Sequence, residues 1–190
     1  MTMNKEIINF PHRLQDKFII LVGLMGAGKT KLGRIIATSM DLPFIDTDIE
    51  IERAAGYSIQ EIFDQFGEQY FRDGERRVIE RILSEKPTVL ATGGGAYLDK
   101  KIRKLMDKNG IVIWLRADLD LLVQRTKYRS GRPLLNTGDK KKILSKLIEE
   151  RYPVYAKAEL IFDFKDEPAS KTAKRLIELL KNHSMRENFI

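Results

Sequence analysis

The residues best suited to chemistry lie close together near the amino terminus. Gly23-Leu24-Met25-Gly26-Ala27-Gly28-Lys29-Thr30 follows the pattern G-x-x-x-x-G-K-[S/T]. Glycines let a backbone curl until several N–H groups aim at one phosphate, and a helix starting at that point adds the positive end of its dipole. Lys29 then bridges the β- and γ-phosphates of a nucleoside triphosphate, and Thr30 has the hydroxyl that such loops offer to Mg2+. A strand-like run before the motif and helical spacing after it supply the context that a chance glycine-rich turn would not need.

A phosphate loop alone does not separate GTPases, motor ATPases and small-molecule kinases. An N-K-x-D base-reading motif is missing, and Asp107-Lys108-Asn109-Gly110 is no substitute for it. Asp46-Thr47-Asp48 places two carboxylates at i and i+2 at the end of a predicted strand, the edge where ligands bind in parallel sheets. One carboxylate can hold the hydration shell of Mg2+ while the other faces an acceptor hydroxyl that must lose its proton. The plainer reading of Asp48 is a cap on the following helix. Gly93-Gly94-Gly95 lets backbone N–H groups approach a hydroxyl or phosphate oxygen closely, or is a plain flexible turn. Glu75, at i+3 from Arg72, can hold that guanidinium in place, or the two form only a surface pair.

These groups need elements to position them. The spacing predicts strands over 18–22, 43–46, 88–91, 111–115 and 160–164. It predicts helices over 29–39, 49–55, 58–66, 68–84, 99–108, 118–126, 139–157 with a possible bend at Pro153, and 168–181. Gly56 and Gly67 separate helices, and Asn109-Gly110 ends one. Alternating strands and helices imply an α/β fold with a mostly parallel sheet of about five strands, covered by helices on both faces. Residues 127–138, rich in Arg, Gly, Pro and Asn, are expected to form a mobile lid. Residues 1–17 and 182–190 read as an extension and a tail around one domain, 18–181.

The whole chain narrows the class. Its 190 residues are 43% hydrophobic and 32% charged, which suits one domain. Apolar runs fall far short of the roughly 20 residues that cross a bilayer. No secretory or transit signal is evident, so a cytoplasmic protein is expected. Without cysteine there is no disulfide or thiolate chemistry, and with two histidines a histidine-rich transition-metal site lacks ligands. The net charge of +7 suits either nucleic acid or anionic small ligands. Basic residues over 100–151 are dispersed among Pro, Gly and apolar residues rather than grouped with stacking aromatics, which favours small ligands. Trp114 reads as core, Lys140-Lys141-Lys142 as an exposed helix start, Arg129 as a solvated charge, and His12 and His183 show no partners.

Taken together, the phosphate loop, Asp46-Thr47-Asp48, Gly67-Glu68-x-x-Phe71-Arg72-x-x-Glu75, Thr92-Gly93-Gly94-Gly95, Arg132-Pro133-Leu134-Leu135 and Arg151-x-x-x-Tyr155 resemble the shikimate kinases. The resemblance spans about 18–180. It implies a nucleoside monophosphate kinase-like P-loop fold and ATP-dependent phosphorylation of shikimate at its 3-hydroxyl, in the pathway to chorismate and aromatic amino acids. It also implies Mg2+ as cofactor, Asp48 as the base, and Arg72 and Arg151 as a clamp on the carboxylate, where forked guanidinium donors suit a planar anion. Glu75 and Gly93 to Gly95 complete the acceptor site. ATP contacts are expected from Gly26, Ala27, Gly28, Lys29, Thr30 and Lys31, from Arg125 against adenine, and from Arg132 of the lid, acting like an arginine finger. Thr30 and Asp46 are expected at the metal, Asp46 through water. The expected partners are ATP and shikimate, with no nucleic acid and no membrane, in a monomer. A different kinase of the same fold, resembling gluconate or adenylate kinases, and a nucleotide-binding regulator without catalysis are the competing readings. Lys29, Asp48 and Arg132 together argue against lost catalysis.

Overall fold

β1 (Phe18–Val22) reads FIILV, and all five residues are buried. Successive strand side chains point to opposite faces, so both faces of β1 are covered. In this computed structural model, which describes residue 14 and residues 16–127, 139–165 and 167–186, β1 is central in a five-stranded parallel sheet. The other strands are β2 (Phe44–Asp46), β3 (Val89–Ala91), β4 (Gly110–Arg116) and β5 (Leu160–Asp163), in the order β2-β3-β1-β4-β5. β4 is apolar and buried from Gly110 to Leu115, whereas the edge strands β2 and β5 are only partly covered.

The strand order reverses beside β1. α1 (Lys29–Met40) carries the chain past β3 to β2. After β3, a 3-10 turn (Ala96–Leu98) and α4 (Lys100–Asn109) bring it to β4, on the other side of β1. Such a reversal opens a crevice at the carboxyl ends of the strands. Pairing fixes what meets there: Leu21 and Asp46 both lie opposite Ala91. The loop after β1, the aspartates after β2 and the glycines after β3 therefore start at one level.

The helix ends follow local chemistry. α2 (Thr47–Ala55) is capped by the Asp46 carboxylate, which accepts from the Asp48 N–H, and ends at Gly56 with φ 73°. α3 (Ile59–Leu83) opens with a capping box between Ser58 and Glu61. Asp99, Asp118 and Asp139 cap α4, α5 (Leu119–Thr126) and α6 (Lys140–Tyr155). The last helix is α7 (Ala169–Arg186).

Gly67 separates two helical segments of α3, as expected, leaving helical geometry at φ 81° and ψ 174° to form a sharp kink between them. Asn109-Gly110 ends α4 as expected: Gly110 is its C-cap and donates its N–H to Met106 O, and in an extended conformation at φ −159° it also opens β4. Its lack of a side chain serves close approach, since a Cβ there would lie 2.5 Å from the Phe18 carbonyl oxygen on β1. Other expectations are corrected. The final helix continues through Arg186 rather than ending at 181, and His183 Nε2 lies 2.5 Å from Glu159 Oε1. Leu14, expected in an extension outside the core, is 2% exposed and packs into it. Trp114 is buried, as expected.

The Gly110 contact yields a test of the central pairing. Gly110→Ala should lower stability by about 1–3 kcal/mol, because the clashing partner is backbone and cannot step aside. The measurement is a urea titration, with a lower midpoint and an unchanged slope expected.

Candidate active site

Val22 leads straight into the phosphate loop, in which Gly26 and Gly28 both take φ 85°. Gly28 is the N-cap of α1 and contributes no side chain, and the first turn of α1 holds no acidic residue. The next five helices all begin at an Asp or Ser side-chain cap. α1 thus leaves its first amides and its positive end to an external anion. Ala27 turns its N–H inward to Leu24 O at 3.2 Å. Lys29, 9% exposed, folds back over its own loop and donates from Nζ to Gly23 O at 2.8 Å and Leu24 O at 3.0 Å.

Across the crevice, Thr30 Oγ1 donates to Asp46 Oδ2 at 2.7 Å. The other Asp46 oxygen accepts from the Asp48 N–H at 3.1 Å. Asp46, not Asp48, is therefore the cap of α2, and the Asp48 carboxylate is not spent on that cap. A hydroxyl and a carboxylate already in contact are hard oxygen donors of the kind Mg2+ takes, so Thr30 and Asp46 fit that ion. Among the described residues no cluster of three or more His, Cys, Asp or Glu could hold a metal by itself. Mg2+ is commonly held by one or two carboxylates together with substrate phosphates. A cleft of about 370 Å³ joins Lys29, Thr30, Lys31, Asp46, Asp48 and Gly94.

The triple glycine after β3 forms the far wall. Thr92 anchors it, donating from both N–H and hydroxyl to Leu21 O of β1 at 3.2 and 3.1 Å. Charged side chains crowd all three glycines. A Cβ at Gly93 would lie 2.8 Å from Glu75 Oε1 and 2.9 Å from Asp48 Oδ1. At Gly94 it would lie 3.4 Å from Arg151 Nη1, and at Gly95 only 2.3 Å from Arg72 Nη1. The wall thus has a carboxylate end and a guanidinium end. A ligand with a carboxylate at one side and hydroxyls at the other matches that division.

Each charge is held in turn. Arg72 Nη1 pairs with Glu75 Oε2 at 2.7 Å, and Glu68 adds contacts at 3.1 and 3.3 Å. Burial opposes the Arg72 charge, but the two glutamates outweigh it and raise its pKa. Glu75 is 3% exposed, and its Oε1 has no hydrogen-bond partner among the described residues. Burial pushes its pKa up, against the pull of Arg72, and Asp48 adds to the rise. Arg151, 8% exposed on α6, donates to Gly94 O at 3.0 Å.

Beside the loop a second cleft of about 240 Å³ is lined by Gly28, Lys31, Arg125, Phe164 and Glu167. There the Arg125 guanidinium lies 4.3 Å from the centre of the Phe164 ring. The structure brings together every predicted site residue except Arg132. Arg132 and Arg129 lie outside the described residues, as does the expected lid from 128 to 138.

Two contributors escaped the sequence reading. Fully buried Thr47 accepts the Gly93 N–H on its hydroxyl at 3.0 Å, tying the aspartates to the glycines. Its signal was a small hydroxyl between two carboxylates. Tyr155, quoted only as part of a motif, donates its hydroxyl to Gly94 O. Its signal was i+4 spacing from Arg151, which places both on one helix face.

The raised pKa of Glu75 has a measurable consequence. An unfolded glutamate titrates near about 4.3. With the folded value above that, the stability due to Glu75 is complete below the unfolded value and is lost as pH rises through the folded one. Glu75→Gln has no proton to lose. The stability of Glu75→Gln minus that of the wild type should therefore grow more positive from about pH 4 towards about pH 7 in paired urea titrations. A flat or falling difference would contradict the raised pKa.

Comparison with known proteins agrees with this arrangement. The family profile described as shikimate kinase matches residues 25–181. A shikimate kinase of Brucella canis is 48% identical over 174 residues, covering 92% of this chain and 87% of that protein. The solved shikimate kinase from Acinetobacter baumannii in complex with shikimate superposes with a TM-score of 0.86 at 36% identity, covering 91% of this chain and 98% of that one. A gluconokinase from Sinorhizobium meliloti, 17% identical with a TM-score of 0.60, covers 92% of this chain and 97% of its own, and shares the fold. With a profile that starts within the phosphate loop and runs through the aspartates, the glycines and both arginines, the chain belongs to the shikimate kinase family.

Proposed function

We propose that this chain transfers the γ-phosphoryl group of ATP to the 3-hydroxyl of shikimate, giving shikimate 3-phosphate and ADP on the way to chorismate and the aromatic amino acids. The observation that carries the reading is the divided glycine wall. Its guanidinium end, Arg72 and Arg151, suits the acceptor's carboxylate, and its carboxylate end, Asp48 and Glu75, suits the hydroxyls. The relative solved with shikimate supports the same acceptor.

In the reaction the acceptor oxygen bonds to the γ-phosphorus while the bond to the β–γ bridging oxygen breaks, leaving ADP. Asp48 takes the hydroxyl proton. Lys29 exchanges the two loop carbonyls for the β- and γ-phosphate oxygens, and the open amides of α1 receive the phosphates. Thr30 and Asp46 would hold Mg2+, which when bound would supply charge neutralisation at the phosphates. Arg125 and Phe164 border the space for the base. All these groups belong to one chain, so a monomer suffices. Among the described residues no helix is long and apolar enough to cross a membrane. A requirement for ATP suits the cytoplasm.

A panel of acceptors tests this directly: shikimate, gluconate and AMP, each with ATP and Mg2+. Turnover should be confined to shikimate and should stop when Mg2+ is chelated. Efficient turnover of either other acceptor, in preference to shikimate, would overturn the assignment. Asp48→Asn should lower kcat by roughly 10²- to 10⁴-fold, the usual loss for a positioned base. A change confined to the KM for ATP would make Asp48 a structural residue. Arg72→Lys and Arg151→Lys keep the charge but lose the fork, so each should raise the KM for shikimate far more than that for ATP. Equal effects on the two substrates would remove the clamp.

A further inference from the structure

Gly94 O is a partly buried carbonyl with two donors. Arg151 Nη1 reaches it at 3.0 Å, and the Tyr155 hydroxyl, one helical turn further along α6, also donates to it. The two side chains converge on that oxygen, so the Arg151 charge also lies near the phenol. A carbonyl oxygen has two lone pairs and can keep both partners. One of these donors is nevertheless the arginine that the functional reading assigns to the substrate carboxylate.

We propose that Tyr155 is a positioning residue for the acceptor clamp: it keeps the Gly94 carbonyl satisfied so that Arg151 can turn its fork onto the carboxylate of the substrate. This inference rests on the proposed function. Without the phenol, Arg151 is the donor left to a partly buried carbonyl, and recruiting it to a ligand that covers the cleft leaves that oxygen unpaired. With the phenol in place, Arg151 moves without that penalty.

The surroundings suit the task. Tyr155 is 1% exposed, and burial pushes its pKa up to about 12, so it remains a protonated donor at neutral pH. Its ring packs at 6.0 Å from Trp114, which in turn meets Tyr152 edge-on at 4.7 Å. Trp114 also borders the phosphate loop, 3.6 Å from where a Cβ of Gly23 would stand. The phenol is thus carried by a ring wedged in the core. Its oxygen position is set by packing, not by the ligand.

Tyr155→Phe removes the hydroxyl and keeps the ring. The KM for shikimate should rise roughly tenfold, the lower end of the scale for leaving a carbonyl unpaired away from water, while the KM for ATP changes less than about threefold. Trp114 is the sole tryptophan of the chain, so its emission, titrated with shikimate, should report the same loss as weaker binding. Arg151→Lys supplies the second arm. If Tyr155 acts through Arg151, adding Tyr155→Phe to Arg151→Lys should cost far less than it costs the wild type. Additive losses, an unchanged KM for shikimate, or a fall in thermal stability with equal effects on both substrates would overturn the positioning role. Wild-type turnover of shikimate is the control: if it is absent the functional reading falls and takes this inference with it. If it is present, the inference stands or falls on the variants alone.

Discussion

Four charged side chains, two of each sign, converge on three consecutive residues that have no side chains. Most of the molecule can be understood from that crowding. Buried charges are costly unless paired and hydrogen-bonded, and these four come from three separate stretches of chain: Asp48 from α2, Arg72 and Glu75 from α3, Arg151 from α6. The sheet order brings those helices to one edge, and the register of β1, β2 and β3 sets their common level. A shift along any of these strands would separate charges that stabilise one another.

Full mutual neutralisation would leave nothing for a ligand. Arg72 is paired on one side by Glu75 and Glu68, while Arg151 is engaged by a neutral carbonyl, an easier partner to exchange. Glu75 keeps one oxygen on Arg72 and the other unpaired among the described residues. Such an orphaned buried oxygen is costly and calls for an explanation in function. On the proposed function, a substrate hydroxyl would supply the missing donor. Lys29 repeats the pattern at the opposite wall, holding loop carbonyls that phosphate oxygens can replace.

What could be read from the chain follows from how far each interaction reaches. The phosphate loop, the apolar runs of β1 and β4 and the capping residues act within a few positions, so local spacing reveals them. The pair Arg72 and Glu75 was legible for the same reason. Asp46 and Asp48 were legible as a pair, but which one capped α2 depended on rotamers that spacing does not set. The two bonds to Gly94 O span 57 and 61 residues, and nothing local to Tyr155 announces them. Gly110 was legible as the end of α4, but its tight fit against Phe18 comes from a strand 92 residues earlier in the chain, which local spacing does not show. Leu14 stood apart from any clear period, yet the core takes it in.

The contact between Gly95 and Arg72 also restricts the routes by which such a site can evolve. Any side chain at Gly95 would enter the space of the guanidinium, whose end is flexible enough for the fold to survive the intrusion. On the proposed function, the displaced arginine would then no longer point at the acceptor. A descendant seeking a larger or uncharged acceptor must therefore surrender Arg72 before Gly95 becomes free to vary. The order of the two substitutions is imposed by geometry, and the intermediate has already lost its grip on the ancestral acceptor.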